Sequence, residues 1–102
     1  MSKKNSKSVL SFSKAIKMGE YYPEFLATYP EWHKYSRHVQ FEYIQKAIKN
    51  RKEQLTRQWA EVNNILDFSK KPHLKEVLKN ITKQLEAVEE DRESLFLKYS
   101  KT

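Results

Sequence analysis

The chain has 102 residues, with 20 Lys and Arg against 13 Asp and Glu, and it contains one Gly, three Pro and no Cys. That length holds one domain with a modest core, and the missing Cys excludes disulfides, a thiolate nucleophile and a Cys-based zinc site. No apolar run approaches the roughly 20 residues of a membrane-spanning helix, and a single Gly leaves no phosphate-cradling glycine loop.

The formal charge of +7 is unevenly placed. Lys3, Lys4, Lys7, Lys14 and Lys17 precede the first acid, Glu20; from there on 15 basic residues face 13 acidic ones. Residues 1–8 read as a disordered basic arm. The arm is rich in Ser and Lys and free of acids, which partly suits a mitochondrial transit peptide, although Arg is missing. Lys14 and Lys17 interrupt any secretory apolar core after Val9, Leu10 and Phe12. A cytoplasmic location is the expectation, with a mitochondrial one as its alternative.

A single helical domain is expected over 9–102. Val9, Phe12 and Ile16 predict a short amphipathic helix over about 9–18, with Gly19 as its stop. A repeated unit follows: Tyr22-Pro23-Glu24-Phe25 and Tyr29-Pro30-Glu31-Trp32, an aromatic Tyr-Pro-Glu repeat over 21–32. Each Pro suits a first helical turn, where its missing N–H costs nothing, and each Glu then lies near the positive end of the helix. The first copy is expected to open a short turn of its own. Thr28 and Glu31 have capping-box spacing, which places the start of a long helix between Thr28 and Pro30 and its end near Asp67.

Phe41, Ile44, Ile48, Leu55, Trp59, Val62 and Leu66 fall within about 60° of one another on the helical wheel. The apolar-free stretch Lys49–Gln54 has neither Gly nor Pro, so it reads as helix through a polar layer; a break at Asn50 is the second reading. Phe68–Lys71 is the expected loop, and Pro72 opens a final helix over about 72–100. In that helix Leu74, Leu78, Ile81, Leu85, Val88, Arg92, Leu95 and Tyr99 form a heptad stripe interrupted only by Arg92. A lone helix with such a stripe is unstable in water and requires a partner helix.

The short connection makes the long helices antiparallel neighbours. Folding them about it sets Leu66 against Leu74, Val62 near Leu78, Trp59 near Ile81 and Leu55 near Leu85. It also sets Ile44 near Leu95 and Phe41 near Tyr99. Arg51 and Lys52 then lie level with Val88 and Glu89, which predicts an Arg51–Glu89 ion pair beside Arg92; the competing expectation is that these side chains only reach for solvent. The longer helix overhangs its partner and presents Trp32, Tyr35, Val39 and Tyr43 on a second face. Either the N-terminal segment, through Phe12, Ile16, Tyr21, Tyr22 and Phe25, covers that face, or a partner protein does.

The chemistry-bearing residues are sparse. His33 and His38 lie about 140° apart on a helical wheel and cannot share a metal. Glu86, Glu89, Glu90 and Glu93 read as a solvated face. No catalytic constellation, cofactor or small-molecule substrate is indicated.

Two surfaces remain. Tyr22, Phe25, Tyr29, Trp32, Tyr35, Val39 and Tyr43 have the aromatic character of a protein interface. Lys34, His38, Lys46, Lys49 and Lys52 form a basic strip that, with the arm, could contact nucleic-acid phosphates without sequence preference. The expected fold is all-α: a long antiparallel helical hairpin, coiled-coil-like, with a short N-terminal helical segment in a small bundle. The expected function is a non-catalytic protein–protein interaction module binding another protein or a second copy of itself, with non-specific nucleic-acid binding as the alternative.

Overall fold

The computed structural model describes residues 10–65 and 70–100. The basic arm, Val9, Leu66, Asp67, and Phe68 and Ser69 of the expected loop lie outside the described residues. The fold is all-α and built on a helical hairpin: α1 (Phe12–Lys17), α2 (Pro23–Leu26), a 3-10 helix (Pro30–Lys34), α3 (Arg37–Asn63) and α4 (Pro72–Ser100). No helix among the described residues is long and apolar enough to cross a membrane.

Local signals explain most boundaries. Ser11 caps α1, its Oγ accepting from the Lys14 N–H at 3.1 Å. The same helix ends in a Schellman motif. There the Glu20 N–H donates to the Ala15 carbonyl and the Gly19 N–H to the Ile16 carbonyl, both at 3.0 Å. Gly19 takes φ 86°, so the chain's single glycine occupies a left-handed position that a Cβ would penalise. The first Tyr-Pro-Glu copy opens α2 with Pro23 in its first turn, as expected.

The second copy opens only the 3-10 helix, so the long helix does not begin at Thr28–Pro30. Thr28 caps nothing: its Oγ1 donates back to the Phe25 carbonyl at 2.7 Å. Tyr35 is extended, with φ −86° and ψ 144°, and Ser36 caps α3 instead, receiving the Val39 N–H on Oγ at 3.2 Å. The Gln40 side chain then donates to the Trp32 carbonyl at 2.8 Å, a second hydrogen bond to an oxygen that already accepts from the Tyr35 N–H at 3.3 Å. From Arg37 the helix runs 27 residues without a break, straight through the polar stretch around Asn50. It ends at Asn63, short of the expected Asp67.

The chain divides into two compact units, residues 1–50 and 51–102, the division falling inside the unbroken α3. In the first unit Phe12 is the hub. Its ring lies 5.0 Å from Tyr43, 5.7 Å from Tyr29, 5.9 Å from Tyr35 and 6.1 Å from Trp32. The N-terminal segment therefore covers part of the aromatic face, through Phe12, while Tyr35, Val39 and Tyr43 stay half-buried. Two polar ties fasten it: the Tyr29 hydroxyl donates to the Leu10 carbonyl at 2.9 Å, and the Asn50 amide to the Ile16 carbonyl at 3.0 Å. Leu26, Ile44 and Ala47 are fully buried.

In the second unit the final half of α3 runs antiparallel to α4. The heptad stripe is asymmetric: Leu74, Ile81, Val88 and Leu95 are buried, whereas Leu78, Leu85, Arg92 and Tyr99 are half-buried. Arg92 therefore sits on a flank of the stripe, where a charge can reach water. On α3 Leu55 is buried, but Trp59, expected in the core opposite Ile81, is 38% exposed. Trp59 follows Lys52 by one heptad, so the two share that side chain's half-open flank.

Candidate functional site

The first unit gathers most of the predicted aromatic interface but does not leave all of it open. Trp32 is 4% exposed and belongs to the interior, because the 3-10 helix turns it toward Phe12. It is a core residue and offers no binding surface. Tyr29 is half-buried and tied to Leu10. Tyr22 and Phe25 remain exposed, at 51% and 37%. Their rings are held in place nonetheless: Tyr22 lies 4.8 Å from Tyr21, and Phe25 meets Tyr29 edge-on at 5.8 Å. Tyr35, Val39 and Tyr43 are half-buried.

Tyr35 and Tyr43 lie 5.1 Å apart, with their hydroxyls hydrogen-bonded to each other. That bond, then desolvation, then the neighbouring Tyr43 and Glu31, push the Tyr35 phenol above its ordinary pKa. Tyr29 is pushed up as well, first by desolvation and then by Glu20 and Glu31. Both phenols thus keep their protons and remain hydrogen-bond donors across the physiological range. Beside them a cleft of about 580 Å³ opens between α1 and α3, and sequence reasoning did not anticipate it. Its walls come from residues 31 positions apart, such as Phe12 and Tyr43, and no local pattern reports that proximity.

The predicted basic strip is not one helical face. The break at Ser36 puts Lys34 on the 3-10 helix, away from α3. His38 lies 3.3 Å from a Glu42 carboxylate oxygen, and Lys52 is engaged by Glu89. Lys46 and Lys49 are exposed on α3. The His33 Nε2 is 2.8 Å from the Ala27 carbonyl, a bond within its own turn. Among the described residues, no three His, Asp or Glu side chains converge as a metal site would require.

The polar layer of the second unit forms around Glu89, with one correction. The cation reaching Glu89 from α3 is Lys52, one residue after the expected Arg51, with Nζ 2.7 Å from Oε1. Arg92 binds the other oxygen, its Nε and its terminal nitrogen each 2.7 Å from Oε2. Hydrogen bonds from Lys52, then Arg92, hold the Glu89 carboxyl below the usual carboxylate range. A lowered folded-state pKa means that this contribution is present at neutral pH and lost as the pH falls through the carboxylate range. The side chains are about two-fifths exposed, so solvent screens the network. Glu89→Gln is expected to lower the melting temperature slightly at neutral pH and low salt. The gap from the unaltered chain should close on acidification; a gap that persists in acid would mean the charge is irrelevant.

Comparisons with protein-family models, curated proteins and solved structures returned no match.

Proposed function

We propose that the chain is a non-catalytic protein–protein interaction module, a small adaptor, regulator or assembly factor. The observation that carries this reading is the open rim of the aromatic cluster, where Tyr22 and Phe25 are exposed on rings already fixed by their neighbours. Burying a large ring gains area, and a ring held before binding loses little rotamer entropy when the complex forms. The self-packed remainder of the cluster, centred on Phe12, acts as the rigid support of that rim. The second reading, non-specific contact with nucleic acid through the arm and Lys34, His38, Lys46, Lys49 and Lys52, draws on nine basic against four acidic residues within 1–50.

Affinity capture from extract of the native host, with and without nuclease, separates the two. The expected result is a protein retained after nuclease by the unaltered chain and lost by Tyr22→Ser/Phe25→Ser, with the variant's helical content unchanged. Retention of every partner by that variant would defeat the reading. Capture abolished by nuclease would favour nucleic acid.

A further inference from the structure

The cleft between α1 and α3 continues into a second cleft of about 460 Å³, and the two share Tyr43 and Lys46. The half-buried Tyr35 ring supplies the apolar surface of the first, where Phe12 and Ile16 are almost wholly buried, and the half-buried Val39 lines the second. Together they make a groove across α3 with an uncommitted pair of donors at its midpoint. Lys46 is exposed, and no ion pair engages it among the described residues. The Tyr35–Tyr43 pair holds two phenol protons, of which their mutual bond uses one. An ammonium and a phenol donor at one place suit a carboxylate.

We infer that this groove binds an extended acidic peptide segment of a partner protein. The inference rests on reading the chain as an interaction module. An Asp or Glu carboxylate of the peptide sits at Lys46 and the tyrosine pair, and an apolar side chain two residues away lies on the Tyr35 ring. An extended chain turns alternate side chains the same way, so residues two apart enter the two clefts. The first 50 residues carry a net +5, from nine basic and four acidic side chains, which complements an acidic segment and draws it in.

The groove's own carboxylates argue for peptide over nucleic acid. Glu31 lines the first cleft and Glu42 the second. A phosphodiester chain would bring a charge to each of them. A peptide brings one carboxylate to the midpoint and neutral N–H donors to either side. The rings also meet one another tilted or edge-on at 5.0 to 5.9 Å, unlike the open faces on which bases stack.

The test is selection of a random displayed-peptide library on the full chain, followed by titration of the enriched peptides with amide NMR. Support requires enriched sequences with Asp or Glu two positions from an apolar residue, and shifts concentrated at Phe12, Tyr35, Tyr43 and Lys46. Lys46→Glu should then weaken binding on the order of tenfold or more, while Lys34→Glu, outside both clefts, leaves it unchanged. Enriched peptides without acids, or indifferent to Lys46→Glu but lost in Tyr22→Ser/Phe25→Ser, would overturn the groove and keep the interaction module. Displacement of the peptides by an oligothymidylate of higher affinity would overturn it in favour of nucleic acid. No enrichment over an unrelated bait would overturn both.

Discussion

Phe12→Ala should destabilise the first unit by about 3–5 kcal/mol, the usual cost of truncating a buried aromatic side chain. The ring is 6% exposed and touches four other rings. Its removal leaves a cavity and deprives Tyr43 and Tyr29 of edge-to-face partners at one stroke. Those losses share a centre, so they do not add as independent pair terms. A domain of this size has on the order of 5–15 kcal/mol of total stability, so the change takes a large fraction of it. Urea unfolding in a Trp59→Phe background, where Trp32 alone reports by fluorescence, measures the effect. A shift below about 1 kcal/mol would show that Phe12 is not the hub. Phe12→Leu, which keeps much of the volume, should fall between the two.

The second large effect lies in α4. Ile81→Ala is expected to cost about 2–5 kcal/mol, because Ile81 belongs to the buried heptad series with Leu74, Val88 and Leu95. Leu78→Ala, in the half-buried series, should cost less. Leu97→Ala, 62% exposed, should stay within about 0.5 kcal/mol of the unaltered chain. Chemical denaturation of the three variants followed by circular dichroism gives the order directly. Equal losses at Ile81 and Leu78 would mean that the two series are equally deep and that the asymmetry of the seam is wrong.

The hairpin's main features were legible because they depend on spacing along one helix. Pro72, the heptad stripe and the absence of Gly and Pro from Lys49–Gln54 were enough to place α4 and to carry α3 through its polar centre. Gly19 as a stop and Pro23 as a start are similarly local. The start of α3 was not legible, since Thr28 and Ser36 are both acceptable caps on propensity. Tertiary structure decides between them: burying Trp32 requires the turn at Tyr35, and Gln40 then closes on the Trp32 carbonyl. Arg51 and Lys52 differ by about 100° on the helix, and a register counted through a loop does not resolve one residue. The heptad also says which residues face a partner, but not which of its two series lies deeper, so spacing alone places Trp59 in the core.

The candidate site was legible as a set of residues and not as a surface. The sequence collects the aromatic residues in 23 consecutive positions, yet nothing local says that Trp32 turns inward while Tyr22 and Phe25 stay out. That division follows from Phe12, which reaches them only through the fold. The groove at Lys46 and Tyr43 is a product of the same long-range packing.

The brevity of α1 and α2, six and four residues, has a bearing on how the chain comes apart. Isolated helices below about 12–15 residues do not persist in water. Neither element can therefore survive as a remnant once the ring cluster opens, and the 3-10 helix is in the same position. The three short elements are accordingly expected to open as one block, taking the exposed rim, the groove and the buried rings with them. A partner that gripped the rim or the groove would hold that block closed by mass action, and its binding would then be coupled to the folding of these residues.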